Sequence, residues 1–86
     1  MSRGGGDAQY LPELNAAKAG HLERLALQKG YIVEHGGSVH AYIEFDQTVG
    51  YNNGRATTWI RAELTNNRTN IHGHPFDPAN LPEGAR

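Results

Sequence analysis

Five histidines, one tryptophan and a small set of Arg and Glu side chains carry the chemistry that can be written for this 86-residue chain. Imidazole is the side chain whose ordinary titration falls near neutral pH, so His40 and His72 read as a general acid and a general base, in either order. Arg61 adds a planar cation that can fork onto phosphate oxygens, and Glu44 a carboxylate that can orient a histidine or act as the base itself. Together they supply what metal-independent cleavage of an RNA phosphodiester needs. A base takes the 2′-hydroxyl proton, an acid protonates the leaving 5′-oxygen, and a cation offsets the charge of the phosphorane. Trp59 and Tyr42 can stack on an unpaired base, with Tyr31 as a further candidate, while His74 and Arg55 complete the expected substrate contacts. Neither a metal nor an organic cofactor is required.

Two other chemistries fit the same residues. His72 and His74 are two apart, which on a strand puts both imidazoles on one side at about 7 Å. A third metal ligand would then come from His40, His35 or Glu44, although no HExxH or cysteine pair supports such a site. An aromatic and charged sheet face of this kind also suits plain recognition of a protein or nucleic acid, without catalysis.

The elements that must position these residues are two hairpins and a helix. Thr57–Leu64 and Asn70–Phe76 alternate around Asn66-Asn67, a pair that tolerates the positive φ of a two-residue turn. That turn pairs Ala62 with Ile71 and Ile60 with Gly73 on one face. On the other it pairs Arg61 with His72, Trp59 with His74 and Glu63 with Asn70. Tyr31–His35 and Ser38–Phe45 form the other hairpin around Gly36-Gly37. Ile32, Ala41, Glu34 and Val39 share its apolar side with Ile43 and Phe45, and Tyr31, Tyr42, Val33, His40 and Glu44 lie on the opposite one. Both hairpins thus divide into an aliphatic face and a face of His, Tyr, Glu, Arg and Trp.

Leu14–Lys29 reads as an amphipathic helix, with Pro12 near its first turn and Gly30 as a left-handed C-terminal cap. It covers the aliphatic face, so Leu22, Leu25, Ile32, Ile43, Phe45, Ile60 and Ile71 are expected in the core and Trp59 outside it. Residues 46–56 form a long loop or an extended hairpin tip with Arg55 near its end, a candidate substrate flap. The stretch after Phe76, with Pro78 and Pro82, is an extended Pro-rich tail with one turn of helix around Asp77–Leu81. Residues 1–10 are a flexible linker and 11–86 a single small α+β domain, with one helix on an antiparallel sheet of about four strands.

A net charge of −1 excludes a passive nucleic-acid coat, and the absence of cysteine excludes disulfides and thiolate metal sites. No apolar run is long enough for a membrane span, and Met1–Tyr10 has no apolar leader core.

The order helix, LALQKGYIVEHGGSVHAYIEF and then NIHGHPFDPANLPEG resembles the small bacterial toxin ribonucleases of the barnase/EndoU/colicin/RelE-like group, found at the C-termini of polymorphic and contact-dependent inhibition toxins. The resemblance spans roughly Leu11 to Gly84. Gly37-Ser38 leading through Val39 to His40, with His72-Gly73 later, also resembles the HicA type of toxin. What these resemblances imply is an RNA substrate, no metal and a cognate immunity or antitoxin protein that blocks the open face. They also imply a cytoplasmic site of action, reached by delivery as the C-terminal domain of a secreted toxin.

Overall fold

The computed structural model describes residues 8–65 and 71–85. One helix, α1 (Ala16–Lys29), packs on a four-stranded antiparallel sheet of order β2-β3-β6-β7, made by Tyr31–His35, Ser38–Glu44, Trp59–Leu64 and Ile71–Pro75. A second antiparallel sheet, of order β1-β4-β5, is made by Ala8–Tyr10, Gly50–Asn52 and Arg55–Thr57. Ala8–Tyr10 therefore belongs to the domain and not to a linker; residues 1–7 lie outside the described part. Of the long loop and the extended hairpin tip expected over residues 46–56, the structure has the hairpin, formed by β4 and β5. Its turn at Asn53-Gly54 has φ of 55° and 78°, the primed geometry that matches the twist of paired strands.

α1 starts where Asn15 accepts the backbone N–H of Lys18 on its side chain at 2.9 Å, satisfying one of the donors a helix start leaves open. Its end differs from the expected left-handed cap, since Gly30 has φ −81° and ψ −175°, an extended backbone. Glycine is needed there for space, because a Cβ would collide with the Tyr42 carbonyl and lie 2.6 Å from that of Ala26. The helix turns directly into β2, pressed against the backbone of β3.

The contact between helix and sheet is built from small side chains. Ala26 of α1, Ala41 of β3 and Ala62 of β6 are fully buried and form the central cluster, with Leu27 and Ile43 packed around it. Ile60 is also fully buried. A helix about 10 Å wide covers roughly two strands spaced at ~4.8 Å, and the two it covers are β3 and β6. Ile32 on β2 and Ile71 on β7, both expected in the core, lie beyond that width and stay 43% and 41% exposed. Leu22, Leu25, Ile43 and Phe45 are half-buried.

The β2–β3 hairpin has the expected register, with Gly36 and Gly37 at φ 53° and 93°. The β6–β7 pairing is shifted by two residues from the expected one. Ile60 pairs with Pro75, Arg61 with His74, Ala62 with Gly73, Glu63 with His72 and Leu64 with Ile71; Asn66 and Asn67 lie outside the described residues. Space at residue 73 accounts for the shift. A Cβ there would lie 2.5 Å from the Arg61 carbonyl oxygen and 3.0 Å from Cα of Ala62 on β6, and 3.1 Å from Cγ of Glu23 on α1, so the position beside Ala62 takes glycine, where the expected register would have placed Ile71.

The second sheet closes the β7 edge, where Asn52 Nδ2 donates to the Pro75 carbonyl at 2.9 Å. It is tied to α1 by the Tyr10 hydroxyl, which donates to the buried Glu23 carboxylate at 2.7 Å. After Phe76 the chain makes two 3₁₀ turns, Pro78–Asn80 and Glu83–Ala85, the first capped by the Asp77 side chain. Among the described residues no helix is long and apolar enough to cross a membrane.

Two measurements check this packing. Burial first, then the hydrogen bond and charge of Glu23, push the Tyr10 hydroxyl well above its ordinary value near 10. The folded chain therefore holds this proton more tightly than the unfolded chain, so its contribution is complete below about pH 10 and is lost as pH rises further. Tyr10→Phe should flatten the alkaline fall of stability in urea unfolding and cost about 1–3 kcal/mol at neutral pH, because it leaves a buried carboxylate short of a donor. Ala62→Leu should cost about 1–3 kcal/mol by forcing α1 off the sheet, whereas Ile71→Ala should cost less than about 1 kcal/mol because its side chain is already half in water.

Candidate functional site

The sheet face away from α1 carries its polar side chains in three rows that run across the strands. In the first, Val33, His40, Glu63 and His72 are cross-strand neighbours; in the second, Tyr31, Tyr42, Arg61 and His74; in the third, Glu44 and Trp59. The alternation expected from sequence is kept throughout, since Trp59 is half-exposed and its neighbour Ile60 fully buried.

The segment after β7 covers part of this face. Phe76 donates its N–H to the Trp59 carbonyl at 2.9 Å and lays its ring edge-on to Tyr42, centroids 5.3 Å apart. Gly84 lies close against the Tyr31 hydroxyl. Tyr42 is left only 6% exposed, which removes it as a platform for an incoming base. Trp59 keeps one side open on a cleft of about 370 Å³ shared with Pro78, Ala79 and Leu81.

The uncovered part is the first row and the outer half of the second. Arg61, Glu63, His72, Gly73 and His74 line a shallow pocket of about 80 Å³. His40 Nε2 stands 3.4 Å from the Glu63 carboxylate, the two side chains 18% and 34% exposed, and His72 on the other side of Glu63 is exposed. Arg61 is held from two directions. Its guanidinium donates to His74 Nε2 at 3.2 Å and lies 5.4 Å from the centre of the Phe76 ring, an attraction of cation for π face. Nδ1 of His74 in turn donates to the Pro75 carbonyl at 2.7 Å. A guanidinium can only donate and a carbonyl can only accept, so this geometry fixes His74 as the neutral ring with its proton on Nδ1. His74 is thus a positioning residue for Arg61, and its Nε2 lone pair is already used.

Of the residues singled out by sequence, the fold brings His40, Arg61, His72 and His74 to one patch. It separates two others from them. Glu44 accepts a hydrogen bond from the Thr58 hydroxyl at 3.0 Å and lies four residues along β3 from His40, about 13 Å by strand rise. Arg55 sits on β5 of the other sheet, exposed and paired with Asn52. The carboxylate actually beside the histidines is Glu63. Its face was legible from alternation, but the expected register set it opposite Asn70 and not between two imidazoles. For the metal reading, the described residues contain no group of three or more His, Cys, Asp or Glu side chains placed to hold an ion.

No family model matches the chain, and neither a curated protein nor a solved structure matches it.

The tautomer of His74 can be read directly. Its side-chain ¹⁵N resonances at neutral pH should show Nδ1 as the protonated nitrogen and Nε2 as the bare one. Arg61→Ala should leave Nδ1 bound to Pro75 while shifting Nε2, because only the second partner is lost. A His74 ring protonated on Nε2 with Arg61 intact would contradict the arrangement.

Proposed function

We propose that this chain is a metal-independent endoribonuclease whose active groups are Glu63, His72 and Arg61, with His40 and His74 holding the first and last of these in place. The observation that carries this reading is the side-by-side placement of a carboxylate, an exposed imidazole and a guanidinium with its orientation fixed, all lining one shallow pocket. Glu63 and His72 reach further into solvent than His40, so they are the groups that meet substrate, and His40 orients the carboxylate.

With an RNA strand laid across the face, the Glu63 carboxylate takes the 2′-hydroxyl proton and the 2′-oxygen attacks phosphorus. The bond from phosphorus to the 5′-oxygen breaks as protonated His72 gives its proton to that oxygen. The products are a 2′,3′-cyclic phosphate and a free 5′-hydroxyl. Arg61 donates its remaining N–H groups to the equatorial oxygens, where negative charge grows in the transition state. Trp59, one position further along β6 on the same face, offers its open side to a neighbouring base.

Such an activity harms the cell that makes the enzyme. The reading therefore includes a toxin acting where cytoplasmic RNA is found, and a cognate immunity or antitoxin protein that occludes the Arg61–His72 patch, with Arg61 as an attraction for acidic groups on that partner.

The decisive experiment incubates the purified chain with a single-stranded RNA oligonucleotide, with and without EDTA. Cleavage should be insensitive to EDTA, leave a cyclic phosphate and stop when the attacking nucleotide lacks its 2′-hydroxyl. Glu63→Gln and His72→Ala should each lower the rate by about 10²–10⁴-fold without unfolding the chain, the usual loss for a general base or acid. Arg61→Lys keeps the charge but loses the fork and should also fall, while Glu44→Gln and His21→Ala remain near wild type. RNA bound but uncut by the folded protein would make this face a recognition surface, and cleavage abolished by EDTA would make it a metal site; either result overturns the proposal.

A further inference from the structure

On the opposite side of the molecule, the start of α1 leaves an apolar ridge that the sheet does not cover. Leu14 and Leu22, both half-buried, stand between two hollows and line each of them. One hollow, of about 300 Å³, is floored by Leu11, Phe45 and Val49 and bordered by the exposed carboxylates of Glu13 and Asp46. The other, of about 370 Å³, runs along Ala17 and is bordered by the exposed side chains of Lys18 and His21. The ridge thus has acidic groups on one flank and basic groups on the other.

We infer that this ridge is the contact surface between two copies of the chain, related by a two-fold axis that runs along it. A two-fold interface uses the same patch twice, so the patch must be complementary to itself. Rotation about an axis parallel to the ridge lays Leu14 and Leu22 of one copy on those of its mate and sets the acidic flank of each over the basic flank of the other. Rotation about the perpendicular axis would set Glu13 and Asp46 over their own counterparts, which like-charge repulsion opposes. The leucines supply the apolar burial and the rim charges select the orientation. A small cationic ligand would answer only the acidic hollow and leave the ridge in water, whereas a second copy answers both flanks. The active-site face proposed above lies across the sheet from α1, so this pairing stands or falls independently of the ribonuclease reading.

Sedimentation equilibrium of the intact chain from micromolar to millimolar concentration tests the proposal. The expected result is a reversible monomer–dimer equilibrium. Glu13→Lys and Lys18→Glu should each weaken it by at least about tenfold through like-charge contacts, and the chain carrying both exchanges should recover most of the wild-type affinity. Both changes fall on exposed side chains, and circular dichroism will show that the fold is kept in all three variants. A monomer throughout the range, a dimer indifferent to the single reversals, or a double exchange as weak as the singles would each overturn the inference.

Discussion

The close approach of α1 to the sheet through Ala26, Ala41 and Ala62 is the contact on which the remaining architecture depends. With only methyl groups at the centre of this contact, helix and strands meet closely there, and no larger side chain fits at those three positions without displacing one or the other. Gly30 and Gly73 mark two further close approaches, since a Cβ at Gly30 would run into the Tyr42 carbonyl of β3 and one at Gly73 into the Arg61 carbonyl of β6. A single helix of this width leaves β2 and β7 only partly roofed. The chain closes the β7 side with a second sheet, joined through the buried Tyr10–Glu23 hydrogen bond and the Asn52–Pro75 bond. It closes the Tyr31–Tyr42 end of the opposite face with Phe76 and the turns that follow. The patch around Glu63 and His72 is what these coverings leave exposed.

That patch is ordered by contacts made with its covered neighbours. Arg61 would lose considerable side-chain freedom on holding a phosphate, but His74 and Phe76 already restrict it. His74 is restricted in its turn by the Pro75 carbonyl, and Pro75 is fully buried against the sheet. The restraint therefore passes from the core through Pro75 and His74 to a cation at the surface. On the reaction proposed above, groups set before substrate arrives need not reorganise as charge develops, which is the main route by which a shallow polar site gains catalytic effect.

Much of this could be read from the chain before any coordinates. The alternation of Ser38–Phe45 and of Thr57–Leu64 reports which side of each strand is buried, and Gly36-Gly37 specifies the first hairpin to the residue. The amphipathic run ending at Lys29 locates the helix. What could not be read depends on partners remote in sequence. Ala8–Tyr10 becomes a strand only because residues 50–52 pair with it, and a polar Gly-rich lead carries no sign of that. Alternation puts Tyr42 on the open face, and nothing in its own strand shows that Phe76, more than thirty residues later, returns to cover it. Glu44 looked like the site carboxylate because it shares strand and face with His40; only the cross-strand neighbours show that Glu63 is nearer.

The shift of β7 by two residues shows why the two kinds of information part company. A shift of one would have turned every side chain over and put Trp59 or His74 under the helix, a cost summed over the whole strand. A shift of two keeps each residue on its face and changes only which residues are neighbours, so the hydrophobic pattern is indifferent to it. The choice then falls to local fit, and the fit is tightest beside Ala62, where a Cβ would run into the Arg61 carbonyl of β6 and crowd Glu23 of α1, so glycine is accepted and an isoleucine is not. Once Gly73 is set there, His72 must stand opposite Glu63 and His74 opposite Arg61 on the other face. The placement of carboxylate, imidazole and guanidinium side by side at the surface thus follows from the fit of residue 73 in the sheet interior, one strand thickness away.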